Sequence, residues 1–170
     1  MDLKIFIRDV PDFPKEGILF RDIAPLLRAP DALKQAIDQM AAGWQNRLDG
    51  VVALDARGFI FGAGLALKLG VPLVMARKKG KLPGVTKSVS YGLEYGEGVL
   101  EIHADSFFNE DRVLVVDDLL ATGGTAKAAC ELVEKCGAQV VGCVFVIELQ
   151  GLNGRNVLSD YYVRSLVTYP

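Results

Sequence analysis

Asp117 and Asp118 stand side by side at the end of the apolar run Val113-Leu114-Val115-Val116, and Ala121-Thr122-Gly123-Gly124-Thr125 follows shortly after. The run reads as a buried strand, and the carboxyl end of such a strand is where open α/β sheets bind ligands. Glycines opening a helix let backbone N–H groups approach an anion, and the threonine hydroxyls add donors, so Ala121 to Thr125 reads as a phosphate cradle. Two carboxylates would repel a phosphate placed directly beside them, so the two halves of the segment must hold different parts of one ligand. Carboxylates accept well from vicinal hydroxyls. A sugar 5-phosphate fits, with its phosphate on the loop and its ribose hydroxyls on Asp117 and Asp118.

Competing readings of the segment fail on particular residues. No lysine follows Gly124, as a nucleoside-triphosphate P-loop requires. Gly62 and Gly64 have the first spacing of a dinucleotide fingerprint, but Leu67 stands where the third glycine belongs. A phosphoacceptor pocket built on the two aspartates is disfavoured by the glycine-rich turn immediately after them. The plainest alternative makes Thr122 a simple helix cap.

The elements that must position these groups follow from periodicity. Asp31 after Pro30 starts an amphipathic helix whose Leu33, Ile37, Met40, Ala41 and Trp44 repeat at helical spacing to about Leu48. Gly50 to Leu54 is a buried strand ending at Asp55-Ala56-Arg57-Gly58, Phe59 to Leu69 is a helix stopped by Gly70, and Pro72 to Ala76 is the next strand. The same order recurs at Arg112 to Val116, Thr122 to Lys135 and Gln139 to Ile147, with an edge strand near Val163 to Thr168. Apolar strands without alternation, joined by helices, predict an α/β fold with a central, mostly parallel sheet flanked by helices. Residues 77–98, rich in Gly and Lys, read as an irregular lid loop before a strand at Val99 to His103, and Pro11 to Asp22 as a turn-rich apolar loop.

At 170 residues and 51% hydrophobic content the chain is large enough for a real core, and residues 1–170 are read as one domain. A formal net charge of -2 excludes the basic field of a nucleic-acid binder. Cys130, Cys136 and Cys143 form no CxxC pair and His103 is the sole histidine, so a zinc site lacks clustered ligands; the cysteines are expected reduced and buried. No apolar run approaches the roughly 20 residues of a membrane span, and a cytoplasmic protein is the simplest expectation.

The run VVDDLLATGGT resembles the phosphoribosyl-pyrophosphate (PRPP) signature of type I phosphoribosyltransferases. FPKEGILFRDI (Phe13 to Ile23), DARGFIFG (Asp55 to Gly62), RKKGKLPG (Arg77 to Gly84) and SYGLEYG (Ser90 to Gly96) resemble, in order and spacing, the adenine phosphoribosyltransferase family. The resemblance implies a type I phosphoribosyltransferase-like fold with an N-terminal base-binding hood over residues 1–30 and a flexible catalytic lid over 77–98. It implies transfer of phosphoribose from PRPP to adenine, giving AMP and pyrophosphate in purine salvage, with Mg²⁺ as cofactor and a homodimer as the assembly. Asp55, Ala56, Arg57 and Gly58, with Arg77 and Lys81, would bind pyrophosphate, and Arg57 would also be catalytic. Glu94 would be the catalytic carboxylate serving the purine N7. Leu19, Phe20 and Arg21 would hold adenine, with Phe20 stacking and backbone atoms of its neighbours meeting the ring edge. Magnesium would be held mainly by substrate oxygens, with no dedicated side-chain ligands. The rival functions are the same transfer to another base and a PRPP-sensing regulator without catalysis.

Overall fold

Successive residues of a strand point to opposite faces, so a strand apolar throughout needs cover on both sides. In the computed structural model, which describes residues 1–92 and 96–170, Val113 and Val115 pack into one core layer while Leu114 and Val116 pack into the other. In chain order the elements are β1 (Arg8–Val10), β2 (Phe20–Asp22), α1 (Ala24–Arg28), α2 (Pro30–Ala41), β3 (Gly50–Leu54), α3 (Gly58–Leu69), β4 (Leu73–Lys78), β5 (Thr86–Gly92) and β6 (Glu97–His103), then β7 (Arg112–Leu120), α4 (Gly124–Lys135), β8 (Gln139–Leu149), α5 (Gly154–Val157) and β9 (Val163–Tyr169). Short 3-10 turns span Leu3–Phe6 and Gln150–Leu152.

The main sheet has seven strands in the order β5-β6-β4-β3-β7-β8-β9. β4, β3, β7, β8 and β9 run parallel, and β5 and β6 join antiparallel beyond β4. The layer containing α4 residues Ala129, Leu132 and Val133 covers one face; the layer with Ala36 and Met40 of α2 and Phe61 and Leu65 of α3 covers the other. This is the mostly parallel, helix-flanked sheet that the unalternating strands require. The three cysteines are free and buried, as expected.

Three expectations are corrected. α2 ends at Ala41 rather than near Leu48, because Gly43 adopts a left-handed φ of 82° that turns the chain; Trp44 and Leu48 are buried from the following loop. The 77–98 segment is not wholly irregular: β4 extends through Lys78, and β5 pairs with β6 from Thr86↔His103 to Gly92↔Glu97. Val89 and Tyr91 of β5 pack toward the α4 layer while Ser88 and Ser90 face solvent, a period-2 pattern obscured by the surrounding Gly and Lys. The N-terminal loop also carries strand structure, since β1 and β2 form a separate two-stranded antiparallel ribbon with Val10↔Phe20 and Asp9↔Arg21 in register.

Candidate active site

The parallel strands deliver their functional residues to one edge of the sheet. β3 ends at Leu54, immediately before Asp55, β4 carries Arg77, and β7 carries Asp117 and Asp118. Gly50 to Ala53 pair with Val113 to Val116, so the β3–α3 turn and the two aspartates emerge side by side. Their proximity demands glycine at the start of α3, where a Cβ at position 58 would lie 2.8 Å from Asp117 Oδ1 and 3.0 Å from the Val116 carbonyl oxygen.

The two carboxylates differ in environment. Asp117 Oδ1 accepts from the Asp118 backbone N–H at 2.8 Å, and its pKa is pushed well above the ordinary carboxylate range by burial and then by the neighbouring Asp118 charge. Burial also raises Asp118, opposed by the Arg57 guanidinium, whose Nε lies 2.9 Å from Asp118 Oδ2. The contact is one of charge, since Asp118 Oδ2 is fully shielded yet accepts no hydrogen bond among the described residues. A buried acceptor without a donor costs stability and is free to take a hydroxyl proton from a ligand.

Beyond β7 the chain turns through Ala121, Thr122 and Gly123 into α4. Gly123, with φ 85°, occupies the cap position, and no side chain caps the helix, which removes the reading of Thr122 as a simple cap. The first amides of α4 therefore lack a side-chain acceptor at the turn where an anion is favoured. The turn is held from behind by Gly154. A Cβ there would lie 2.2 Å from the Ala121 carbonyl oxygen, and one at position 123 would lie 2.7 Å from the Gly154 carbonyl oxygen. Gly154 was not singled out by sequence reasoning; its only local signal is the turn composition of Gly151-Leu152-Asn153-Gly154.

Arg57 also reaches the β1–β2 ribbon. Its guanidinium carbon is 5.1 Å from the Phe20 ring centroid, and Phe13 meets Phe20 edge-on with centroids 5.1 Å apart. Leu19 is exposed next to Phe20, while Arg21 is turned the other way, ion-paired to Asp9 and stacked on Tyr169. Asp118, Arg57 and Phe20 thus form one continuous cluster.

Arg77 is drawn onto Asp55, Nε to Oδ2 at 3.2 Å. Lys81 is exposed on the 79–84 turn, which is tied to β6 where Gly80 N–H donates to Glu101 Oε2 at 3.0 Å and where His103 Nε2 lies 3.0 Å from the Pro83 carbonyl oxygen. Lys87 is directed away from the site and donates to the Lys135 carbonyl at 2.8 Å. The end of β5 approaches the phosphate-type turn, with a Cβ at position 124 falling 3.6 Å from the Gly92 carbonyl oxygen. Glu94 lies outside the described residues.

The chain is similar to known proteins along nearly its whole length. The phosphoribosyl transferase domain model matches residues 26–168. The chain is 56% identical over 168 residues to an adenine phosphoribosyltransferase of Nitrosococcus oceani, covering 98% of each chain. Among solved structures, the adenine phosphoribosyltransferase of Thermoanaerobacter pseudethanolicus superposes with a TM-score of 0.95 at 47% identity, with 98% of each chain covered. That of Saccharomyces cerevisiae, solved with adenine and an imino-altritol bisphosphate, gives a TM-score of 0.92 at 41% identity over 96% of each chain.

Proposed function

The chain belongs to the phosphoribosyl transferase family, in its adenine phosphoribosyltransferase branch, and we propose that Asp117, Asp118, Arg57 and Phe20 divide the reaction among them. That reaction converts adenine and PRPP to AMP and pyrophosphate, the salvage of a free purine. The bond from ribose C1 to pyrophosphate breaks, positive charge grows on the sugar ring, and adenine N9 forms the new bond to C1. The protein must place both reactants in line, balance the departing anion and keep water from the ring.

The unsatisfied, buried Oδ2 of Asp118 carries the reading of the sugar site, because a ribose hydroxyl would supply the missing donor. Asp117 beside it would take the second hydroxyl, and the uncapped turn from Ala121 to Thr125 would take the 5-phosphate. The pyrophosphate would lie against the Asp55-Ala56-Arg57-Gly58 turn. There Arg57 exchanges part of its contact with Asp118 for the stronger field of a multiply charged anion, with Arg77 and Lys81 adding charge from β4 and its turn. Adenine would lie on Phe20. Recognition by backbone atoms of Leu19 and Arg21 is supported by the Arg21 side chain being committed elsewhere, to Asp9 and Tyr169. Glu94 would serve the proton at N7 as N9 attacks.

Among the described residues no group of three or more His, Cys, Asp or Glu side chains converges. A donor set without a side-chain cage fits Mg²⁺, which keeps waters and favours substrate oxygens, so diphosphate and ribose oxygens would hold it with Asp117 and Asp118 as the nearest carboxylates. When bound it would add positive charge to the diphosphate and weaken the C1–oxygen bond.

A homodimer is part of the same proposal. Ile60, Leu67, Leu73 and Met75 are exposed on α3 and β4, Leu67 at 86%, and Leu67 borders two hollows of about 530 and 580 Å³. Exposed apolar area of this kind suits a self-complementary interface. No helix of the described residues is long and apolar enough to cross a membrane, and the net charge disfavours nucleic acid, so a cytoplasmic enzyme of small molecules is proposed.

The test is a panel of adenine, hypoxanthine, guanine, xanthine and uracil, each supplied with PRPP and Mg²⁺, with nucleotide and pyrophosphate measured. Adenine alone should give rapid turnover. Preference for another base would refute the base assignment, and PRPP binding without pyrophosphate release would favour the sensing regulator.

A further inference from the structure

We propose that Tyr169 is a positioning residue for the adenine site, fixing the β1–β2 ribbon to the main sheet through the Arg21 guanidinium stacked on its ring. The inference rests on the reading that Phe20 of that ribbon stacks on adenine.

Each strand of the ribbon has three residues, and a two-stranded sheet of that size has little stability of its own. Its position must be imposed from outside. Ile7 and Ile23 are buried in the core and set where the chain enters and leaves the ribbon, but neither lies beside the ring-bearing position. Arg21 is the residue next to Phe20, and alternation along β2 sends their side chains to opposite faces. Phe20 meets Phe13 and Arg57, whereas the Arg21 guanidinium carbon lies 3.7 Å from the Tyr169 ring centroid. Lys4 Nζ lies 4.6 Å from the same centroid. Arg21 also ion-pairs with Asp9, its cross-strand partner in β1, so one side chain links both strands of the ribbon to one ring.

That ring is well anchored. Tyr169 is 5% exposed and sits on β9, paired in parallel with Leu149 of β8, so its place follows from the main sheet. Arg21 leaves its buried Nε without an acceptor among the described residues. A residue chosen only to fill space would avoid that cost. The stacking contact is the feature that requires a planar cation at this position, and a desolvated guanidinium over an aromatic face is a strong form of it. A displacement of this contact moves the Arg21 backbone and the adjoining Phe20 together, which are the parts of the hood that meet the base. The PRPP-binding turn and the aspartates belong to different elements and would keep their places.

The experiment measures steady-state kinetics with adenine and PRPP varied separately, together with thermal unfolding, on Tyr169→Leu, Tyr169→Phe, Arg21→Met and Phe20→Ala. Tyr169→Leu and Arg21→Met should raise the KM for adenine about tenfold, with the KM for PRPP within about twofold of wild type, in line with the loss of a desolvated cation–π contact. Tyr169→Phe, which keeps the ring, should restore both values. If Tyr169→Leu proves unstable, Arg21→Met carries the same test. The proposal is overturned if both KM values rise together or the adenine KM stays unchanged while Phe20→Ala raises it. An unchanged adenine KM in Phe20→Ala would instead overturn the hood reading itself, and the positioning role with it.

Discussion

Arg57 Nε lies 2.9 Å from Oδ2 of Asp118, joining the turn after β3 to the acidic pair on β7. The same guanidinium lies against Phe20, so one side chain touches the groups assigned to the pyrophosphate, sugar and base halves of the reaction. Removing it takes away charge that would balance the leaving anion and leaves Asp118 buried with no cation. Arg57→Ala should lower kcat/KM by about 100-fold, and Arg57→Lys should recover only part of this because a point charge cannot both face Asp118 and cover Phe20. Pyrophosphate release measured against pH gives a second readout. Arg57 holds Asp118 down against burial, so the acid limb of the alanine variant should move to higher pH. An unchanged rate would remove Arg57 from the mechanism.

Asp117 should trade stability for function. Its folded pKa is raised above 3.8, so between the unfolded and folded values the native state binds more protons than the unfolded chain. Stability from this group is therefore lost as pH rises through that interval and stays lost above it. Asp117→Asn removes the buried charge while keeping an acceptor for the Asp118 N–H. It should raise the unfolding midpoint by roughly 2–4 °C at pH 7.5, with the gain shrinking toward pH 4, and weaken PRPP use. Calorimetry at the two pH values decides the point, and a midpoint lowered at pH 7.5 contradicts it.

Gly154 supports, by contact alone, the turn proposed to hold the 5-phosphate. Gly154→Ala must push the Ala121 carbonyl away, since the new Cβ would meet it at 2.2 Å and backbone cannot yield like a flexible side chain. The KM for PRPP should rise about tenfold while that for adenine changes little, with a stability loss of about 1–3 kcal/mol. Equal changes in the two KM values would argue for general unfolding instead.

Glu94→Gln keeps the size of the side chain and removes its proton chemistry. At saturating adenine and PRPP, turnover should fall about 100-fold or more if the carboxylate serves N7. Full turnover in a single-turnover assay would end that assignment.

Leu67 is the most exposed large apolar side chain on α3. Leu67→Glu should convert the proposed dimer to monomer in light scattering, with little change in the monomer's unfolding, because a charge at a desolvated interface is costly and at an exposed site is not. A dimer of undiminished affinity would move the interface elsewhere.

Much of this was legible locally. Buried parallel strands have no polar face, so Val51 to Leu54 and Val113 to Val116 announce themselves by composition, and a glycine-rich turn after two aspartates limits the ligand chemistry within nine residues. The strand at Val99 to His103 was legible, but β5 was not, because Val89 and Tyr91 alternate within a stretch rich in Gly and Lys, and pairing with β6 and packing on α4 outweigh that weak local preference. The order of elements and the types of residue at the carboxyl edge of the sheet can be read directly along the chain. That Arg57 lies between Asp118 and Phe20, that Gly154 backs the 121–125 turn, and that Tyr169 carries Arg21 follow from how the chain packs. These contacts join residues 31 to 148 positions apart in the chain. Such distances are set by how strands register and helices pack rather than by any periodicity along the chain.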